Sequence, residues 1–295
     1  MFRLKTGYFI AGIVTGLILL LTFLWSLPDG KLHITFCNVG QGDAAYIRFP
    51  DGRDMVVDGG PDDKVLQCLG RAMPFWDRHI NLVVMTHPQK DHMQGLISVL
   101  ERFTVDYFVR SNVDNSSEGY QKLLEEIRAK KVAVKYETAG DIIDEGKARL
   151  TLLWPSPTQI TKAHSGVLGA STDKELNDYC LVFLLTYGSF DALFTGDADS
   201  RVEADYDYGL LATNTIEVLK FPHHGSRTAA TDQFLDAVHP ELAVISVGKN
   251  NYGHPSKEAL NSLENIHSQI LRTDQDGDIE VVSDGKSWNI NKKNH

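Results

Sequence analysis

The segment Thr86-His87-Pro88-Gln89-Lys90-Asp91-His92 packs two imidazoles and a carboxylate into six residues, directly after an apolar run. Neutral imidazole suits borderline divalent cations, and a carboxylate balances their charge, so the segment fits half of a one- or two-ion site. Two histidines five positions apart also suit a solvated surface, and the segment alone does not choose between the two. A second apolar run ends in Phe194-Thr195-Gly196-Asp197. There Asp197 reads either as a carboxylate bridging two ions or as an N-cap for a following helix. A third run ends in Pro222-His223-His224-Gly225-Ser226. Adjacent histidines do not easily both satisfy buried ring nitrogens, which favours a ligand role for that pair. The chemistry these groups suggest is metal-assisted hydrolysis, in which a cation activates water and polarises the scissile oxygen while Asp91 or Asp197 positions the nucleophile.

Such groups need a scaffold that brings strand ends together. After the break at Pro28-Asp29-Gly30, strands are expected over Leu32 to Phe36, Ala44 to Phe49 and Asp54 to Val57, with Pro50-Asp51-Gly52 as a hairpin turn. Helices are expected over 64–75, 94–101 and 117–130, and strands over 82–86, 106–109, 131–138 and 149–154. The stretch from Pro155 to Glu175 reads as a long loop rich in Ser, Thr and Gly. A hairpin across Gly188-Ser189, a helix near 200–212, a strand over 216–221, a helix around 232–238, a strand over 242–247 and a helix over 256–265 follow. Terminal strands are expected near Ile270 and over 279–282. Early hairpins and later βα units fit two packed sheets with helices outside. Asp58, the 87–92 segment, Asp197 and His223-His224 all fall at the C-terminal ends of expected strands, which suits convergence along one edge.

The 295-residue chain is long enough for a sizeable core, and 42% hydrophobic and 23% charged residues are those of a globular protein. Its formal charge is −10; Arg3, Lys5 and Asp29 give the first thirty residues +1, leaving −11 on the remainder. That remainder lacks the broad basic footprint of nonspecific nucleic-acid binding, although bound metal inverts the local potential at a cleft. Gly7 to Leu27 carries no charged residue and is long enough to span a bilayer. Arg3 and Lys5 precede it, so the N-terminus is expected in the cytoplasm and the bulk of the chain outside. Residues 1–30 are thus expected as a retained anchor or an uncleaved signal, and 31–295 as the catalytic domain. Of Cys37, Cys68 and Cys180, at most one pair can form, and Cys37 and Cys180 are expected as free, apolar core residues.

His87-x-Gln89-x-Asp91-His92, with Val57-Asp58-Gly59-Gly60 before it and Thr195-Gly196-Asp197 and Pro222-His223-His224-Gly225-Ser226 after it, resembles the metallo-β-lactamase superfamily. Val39-Gly40-Gln41-Gly42-Asp43-Ala44 and Tyr252-Gly253-His254-Pro255 narrow the resemblance to the extracytoplasmic hydrolase domain of the ComEC family of competence DNA-uptake proteins. The resemblance covers about Leu32 to Ile279. It implies an αββα four-layer sandwich, here preceded by one transmembrane helix, with one or two divalent transition ions, zinc or manganese, at one edge.

On that resemblance His87 is a ligand of the first site, Asp91 and His92 serve the second, Asp197 bridges, and His224 with His223 completes the set. Asp58 and Asp43 support the ligands from behind. Asn177 and Ser226 face the substrate, and His254 lies beside it as a donor to a phosphoryl oxygen or leaving group, or else is structural in a Gly-His-Pro turn. Two positions depart from the family pattern. Gln89 stands where the superfamily has a metal-binding histidine or aspartate, and Asn38 where the competence relatives carry aspartate. The implied substrate is a phosphodiester, with extracytoplasmic DNA as its leading form. The alternatives are another ester or lactone, or a catalytically weak metal-binding scaffold.

Overall fold

The computed structural model describes residues 6–25, 27–165, 176–206, 211 and 216–293. Its first element is the apolar helix α1 (Thr6–Trp25), of which Gly7–Leu24 has a mean hydropathy of 2.2 and is long and apolar enough to cross a membrane. Two sheets follow. The first runs β1 (Leu32–Phe36), β2 (Ala45–Arg48), β3 (Asp54–Val57), β4 (His79–Met85), β5 (Thr104–Arg110) and β6 (Ala133–Tyr136), with β14 (Asp278–Ser283) and β15 (Trp288–Lys293) added beyond β1. The second runs β7 (Ile142–Glu145), β8 (Ala148–Trp154), β9 (Val182–Tyr187), β10 (Phe190–Phe194), β11 (Val218–Lys220), β12 (Leu242–Ile245) and β13 (Gln269–Arg272) in sequence order.

Each sheet combines antiparallel and parallel pairs. β1, β2 and β3 pair antiparallel, whereas β3, β4, β5 and β6 pair in parallel; β10, β11, β12 and β13 do the same in the other sheet. Ligand sites in such sheets form beyond the C-terminal ends of the parallel strands. Asp58 follows β3, His87 follows β4, Asp197 follows β10 and the histidine pair follows β11. A bond from Leu181 N to Thr86 O (2.8 Å) ties the two sheets together at this rim.

The central strands, such as β3, β10 and β12, are buried on both faces, which explains their near-continuous apolar runs. Ile34, Val57 and Val84 face Leu150, Phe183 and Phe194 between the sheets. On the outside of the first sheet, Val56 and Val83 pack against α2 (Val65–Ala72), α3 (Lys90–Arg102) and α4 (Glu118–Ala129). On the outside of the second, Leu193 and Phe221 pack against the helices Asp232–Val238 and Lys257–Asn265. The result is the expected αββα sandwich.

Several local expectations change. Helix α3 begins at Lys90 rather than Gln94, so Asp91 and His92 stand on its first turn and not in a loop. β7 and β15, both short or polar edge strands without a clear alternation, were not anticipated. The long loop after Pro155 contains a fifth helix, α5 (Pro157–Ser165), and its remainder, 166–175, lies outside the described residues. Within the helix expected over 200–212, the described residues hold a 3-10 turn, Glu203–Asp205, and a helical Leu211, and 207–210 and 212 lie outside the described residues. Cys37 is not a free thiol: it is bonded to Cys68 on α2, while Cys180 is free and buried as expected.

Candidate metal centre

The first turn of α3 is fixed in place by backbone contact. Gly59 N donates to His92 O (2.6 Å) and Gly95 N to Gly60 O (3.0 Å), and a Cβ at Gly59 or Gly95 would collide with the other segment's backbone. Only glycine at both positions lets the loop after β3 lie directly on the helix. The same loop delivers Asp58, whose carboxylate accepts from Thr86 N (2.8 Å) and Thr86 Oγ1 (2.6 Å) and meets His92 Nδ1 at 2.8 Å. One buried carboxylate therefore sets both the end of β4 and the orientation of a ring on α3.

Opposite these elements, His223 and His224 occupy successive left-handed conformations, with φ of 46° and 52°. This backbone costs an L-residue on the order of 1–3 kcal/mol and persists where surrounding structure demands it. The turn directs His224 inward, where its Nδ1 meets the Ser246 carbonyl at 2.9 Å and Asp43 Oδ1 at 3.3 Å. Asp43 is itself held by the buried ammonium of Lys220, which also donates to Gly196 O (3.3 Å) and Phe221 O (3.1 Å).

With both Nδ1 atoms occupied, the Nε2 atoms of His92 and His224 point at the same space. His92 Nε2 lies 3.2 Å from Asp197 Oδ1, and His224 Nε2 lies 3.4 Å from Asp197 Oδ2 and from Asp91 Oδ2. One ligand atom from each of Asp91, His92, Asp197 and His224 lies within 4.8 Å of the others. Despite these approaches, His92 Nε2, His224 Nε2 and Asp197 Oδ1 are buried without a hydrogen-bond partner. Buried polar atoms are otherwise almost always paired. Two imidazole nitrogens and two carboxylates, aimed inward and tied from behind, form a donor set that fits a divalent cation, which would take the place of the ring protons. Asp43, Asp58 and His92 form a second close group, but its carboxylates are engaged by Lys220 and Thr86 and serve as the backing.

Electrostatics follow from the packing. Burial alone would push His92 down, yet the carboxylates of Asp197 and Asp58 hold it well above the ordinary histidine value, and Asp197 and Asp43 do the same for His224. Burial opposes charge on Asp197 too, but the two rings hold it well below the usual carboxylate range. His224 and His92 likewise lower Asp91 against its burial. For His87 the balance reverses: burial, with His92 next to it, outweighs the pull of Asp197 and Asp91 and pushes it down to about 3. Its Nε2 is buried and unpartnered, its Nδ1 lies 3.2 Å from Thr86 Oγ1, and its ring centroid is 4.1 Å from that of His92.

The expected residues thus divide. Asp91, His92, Asp197 and His224 converge; His87 adjoins them through His92, with the partly exposed Gln89 at the start of α3. Asp43 and Asp58 stand behind. His223 turns outward, its Nε2 3.9 Å from Asp197 Oδ2 and its Nδ1 3.7 Å from Asp199 Oδ2, toward a cleft of about 590 Å³ that Ser226, Arg227, Tyr252 and His254 also line. His254 lies 5.8 Å from the His223 ring, and burial with the two nearby histidines pushes it down to about 4. Asn177 is buried with its Oδ1 unpartnered, and among the described residues no hydrogen bond joins its side chain to the four. Asn38 does not face the centre: its Oδ1 accepts from Gly40 N (3.3 Å) and its N donates to Asp278 (2.9 Å). Lys220 was missed, although a lone lysine in the apolar run Val218-Leu219-Lys220-Phe221 was its signal; the Ser246 carbonyl had none.

No protein-family model matches the chain. It is 24% identical over 290 residues to ComE operon protein 3 of Bacillus subtilis, covering 92% of this chain and 35% of that protein. It is 24% identical over 249 residues to Recombination protein 2 of Haemophilus influenzae (83% and 28%), and 36% identical over 106 residues to Competence protein ComA of Neisseria gonorrhoeae (35% and 15%). The chain spans about a third or less of the length of these curated relatives. Among solved structures, the metallo-β-lactamase fold protein YhfI of Bacillus subtilis aligns with a TM-score of 0.52 at 12% identity, over 85% of this chain and 99% of that one. Zn(2+)-bound PqqB of Methylobacterium extorquens aligns at 0.50 and 13%, over 81% and 97%. The diiron β-hydroxylase CmlA of Streptomyces venezuelae aligns at 0.51 and 13%, over 90% and 55%. At these identities the likeness is one of fold.

Proposed function

From a chain that has the metallo-β-lactamase fold and a sequence similar to competence proteins, we propose a membrane-anchored, metal-dependent hydrolase of phosphodiesters that acts outside the cytoplasm, with DNA as its substrate. The observation that carries this reading is the convergence of ligand atoms from Asp91, His92, Asp197 and His224, among which His92 Nε2, His224 Nε2 and Asp197 Oδ1 are buried and unpartnered. A divalent cation held there supplies a Lewis acid and water activated near neutral pH. Asp197 faces both inner rings and is the candidate bridge between two ions. Asp91, whose side chain is 33% exposed, stands at the open side of the set and is placed to orient the attacking water. His254 is neutral at ordinary pH, so it donates one hydrogen bond to a phosphoryl oxygen rather than delivering a proton. Arg227 and Ser226 line the same cleft and supply further donors for a phosphate.

The compartment follows from α1 and its flanks. Arg3 and Lys5 precede the span, which favours an N-terminus inside and residues 31–295 outside. A disulfide between Cys37 and Cys68 suits an oxidising compartment. The test is elemental analysis of the purified chain together with hydrolysis of a generic phosphodiester, of duplex and single-stranded DNA, and of a lactone across several divalent ions. Stoichiometric metal with turnover of phosphodiesters but not lactones is expected; lactone turnover alone would move the substrate to another ester class. A second reading, a metal-binding scaffold with weak catalysis, is favoured by Gln89, which puts a neutral amide beside His87 where a charged or imidazole ligand is expected. Metal without turnover of any of these substrates would select it.

A further inference from the structure

A different surface lies where α2, the loop after it and the end of α3 meet. In the Pro74-Phe75-Trp76 turn, Phe75 is 62% and Trp76 40% exposed, with their rings edge to face at 4.7 Å. Beside them is a groove of about 380 Å³ walled by Leu66, Leu69, Met73 and Phe103 and closed by Arg78 and Arg102. Among the described residues no carboxylate lines it, in a chain whose net charge is −10. Arg78 is stacked 5.6 Å above the Phe103 ring, which holds its guanidinium at the groove while it donates to its neighbour's carbonyl, Asp77 O (2.7 Å). The Trp76 ring lies 5.7 Å from Phe23 in the last turns of α1.

We propose that this surface docks on the lipid headgroup layer of the membrane that α1 crosses, with Phe75 and Trp76 in the interface and Arg78 and Arg102 on the phosphates of anionic lipids. The proposal rests on the reading of α1 as a membrane span and is independent of the metal chemistry. Exposed aromatic pairs are costly in water and favoured at the headgroup level, where an amphipathic ring is wet on one side. Arginine near an anionic leaflet gains further attraction. The contact with Phe23 makes the patch continuous with the span, and only residues 26–31 separate α1 from β1, so the patch cannot stray far from the bilayer. Two anchor points, the span and the patch, then fix the orientation of the rim that carries the metal centre.

The full-length chain reconstituted into phosphatidylcholine vesicles, with and without phosphatidylglycerol, provides the test. Flotation reports anchoring, hydrogen exchange of peptides covering 66–78 reports docking, and metal content on the same samples reports the centre. Exchange over 66–78 is expected to be slower in both membranes than in detergent micelles, by a further factor of roughly ten with the anionic lipid. The pair Arg78→Gln and Arg102→Gln should remove the anionic increment, and the pair Phe75→Ser and Trp76→Ser should remove most of the rest, with metal content unchanged in both. A chain that floats yet exchanges over 66–78 as it does in micelles overturns the proposal. So does protection that appears only on adding a soluble protein fraction, which would make the patch a protein interface. A chain that fails to float removes the span and the docking together, and leaves the metal reading to stand on its own measurement.

Discussion

The His224 side and the His87 side of one rim hold the same side-chain type in opposite electrostatic states. On the first, carboxylates of Asp43, Asp91 and Asp197 surround a buried imidazole, and its second nitrogen is fixed by a backbone carbonyl. On the other, His87 is equally buried, but its close contacts are Thr86 and His92, among the described residues no carboxylate pairs with it, and burial with His92 outweighs the pull of Asp197 and Asp91, so that it is pushed down to about 3 instead of up. Burial is common to both and opposes charge in both; the difference lies in the carboxylates that pair directly with His224 and in the His92 ring beside His87. A histidine at a strand end is therefore not by itself a cation site. The acids that converge on it create a place where positive charge is favoured, and the acids behind it hold the ring so that one nitrogen remains for a ligand.

The strongest way to break this contrast is Asp197→Ala, which removes the carboxylate facing both His92 and His224. Loss of stoichiometric metal is expected, by more than the roughly 10–100-fold in affinity that outer partners carry, with phosphodiester turnover falling in step. Elemental analysis and turnover on the same preparation check it, and retained metal would reject a ligand role for Asp197. Asp58→Asn comes next, because it keeps the shape of the side chain while weakening its hold on His92 Nδ1. Metal affinity should fall by roughly 10–100-fold with the fold preserved, as judged by circular dichroism and titration with the ion.

The sequence made the contrast partly readable. Four polar clusters closing four apolar runs placed Asp58, His87, Asp197 and His224 at strand ends, and the parallel register of β3 with β4 and of β10 with β11 brings those ends level. What it hid was set by contacts that no local pattern carries. Asp91 and His92 looked like loop residues because the helix start at Lys90 has no side-chain cap to announce it. Cys37 and Cys68 are 31 residues apart, and the packing of α2 on the first sheet alone brings them together. The inward turn of His224 and the outward turn of His223 depend on two consecutive left-handed residues, which side-chain type does not foretell.

Gln89→Asp sharpens the comparison from the weaker side. It places a carboxylate at the start of α3 beside His87 and should convert a neutral corner into one that favours a cation. Metal affinity or stoichiometry is expected to rise, by about tenfold for the added ion, in line with the measured strength of close charge-assisted contacts. Calorimetric titration of the variant against the wild type reads this directly, and an unaltered isotherm would place position 89 outside the ligand shell.

The smallest effect at the centre is expected from Glu203, which tests whether burial away from the four converging groups has a purely structural consequence. Its side chain is 1% exposed and accepts from Thr231 N at 2.8 Å, and burial raises it from 4.5 to about 7. The folded chain therefore holds this proton more tightly than the unfolded chain. The associated stability is complete below about pH 4.5 and is lost as pH rises through about 7, a change of at most about 3 kcal/mol. Glu203→Gln keeps the acceptor for Thr231 and cannot ionise, so it should match the wild type in acid and exceed it in stability above neutrality, with metal affinity unchanged. Unfolding followed across that pH range checks the sign. A variant whose pH profile parallels the wild type would mean that the carboxylate is already ionised in the fold, and that burial there is relieved by water reaching it.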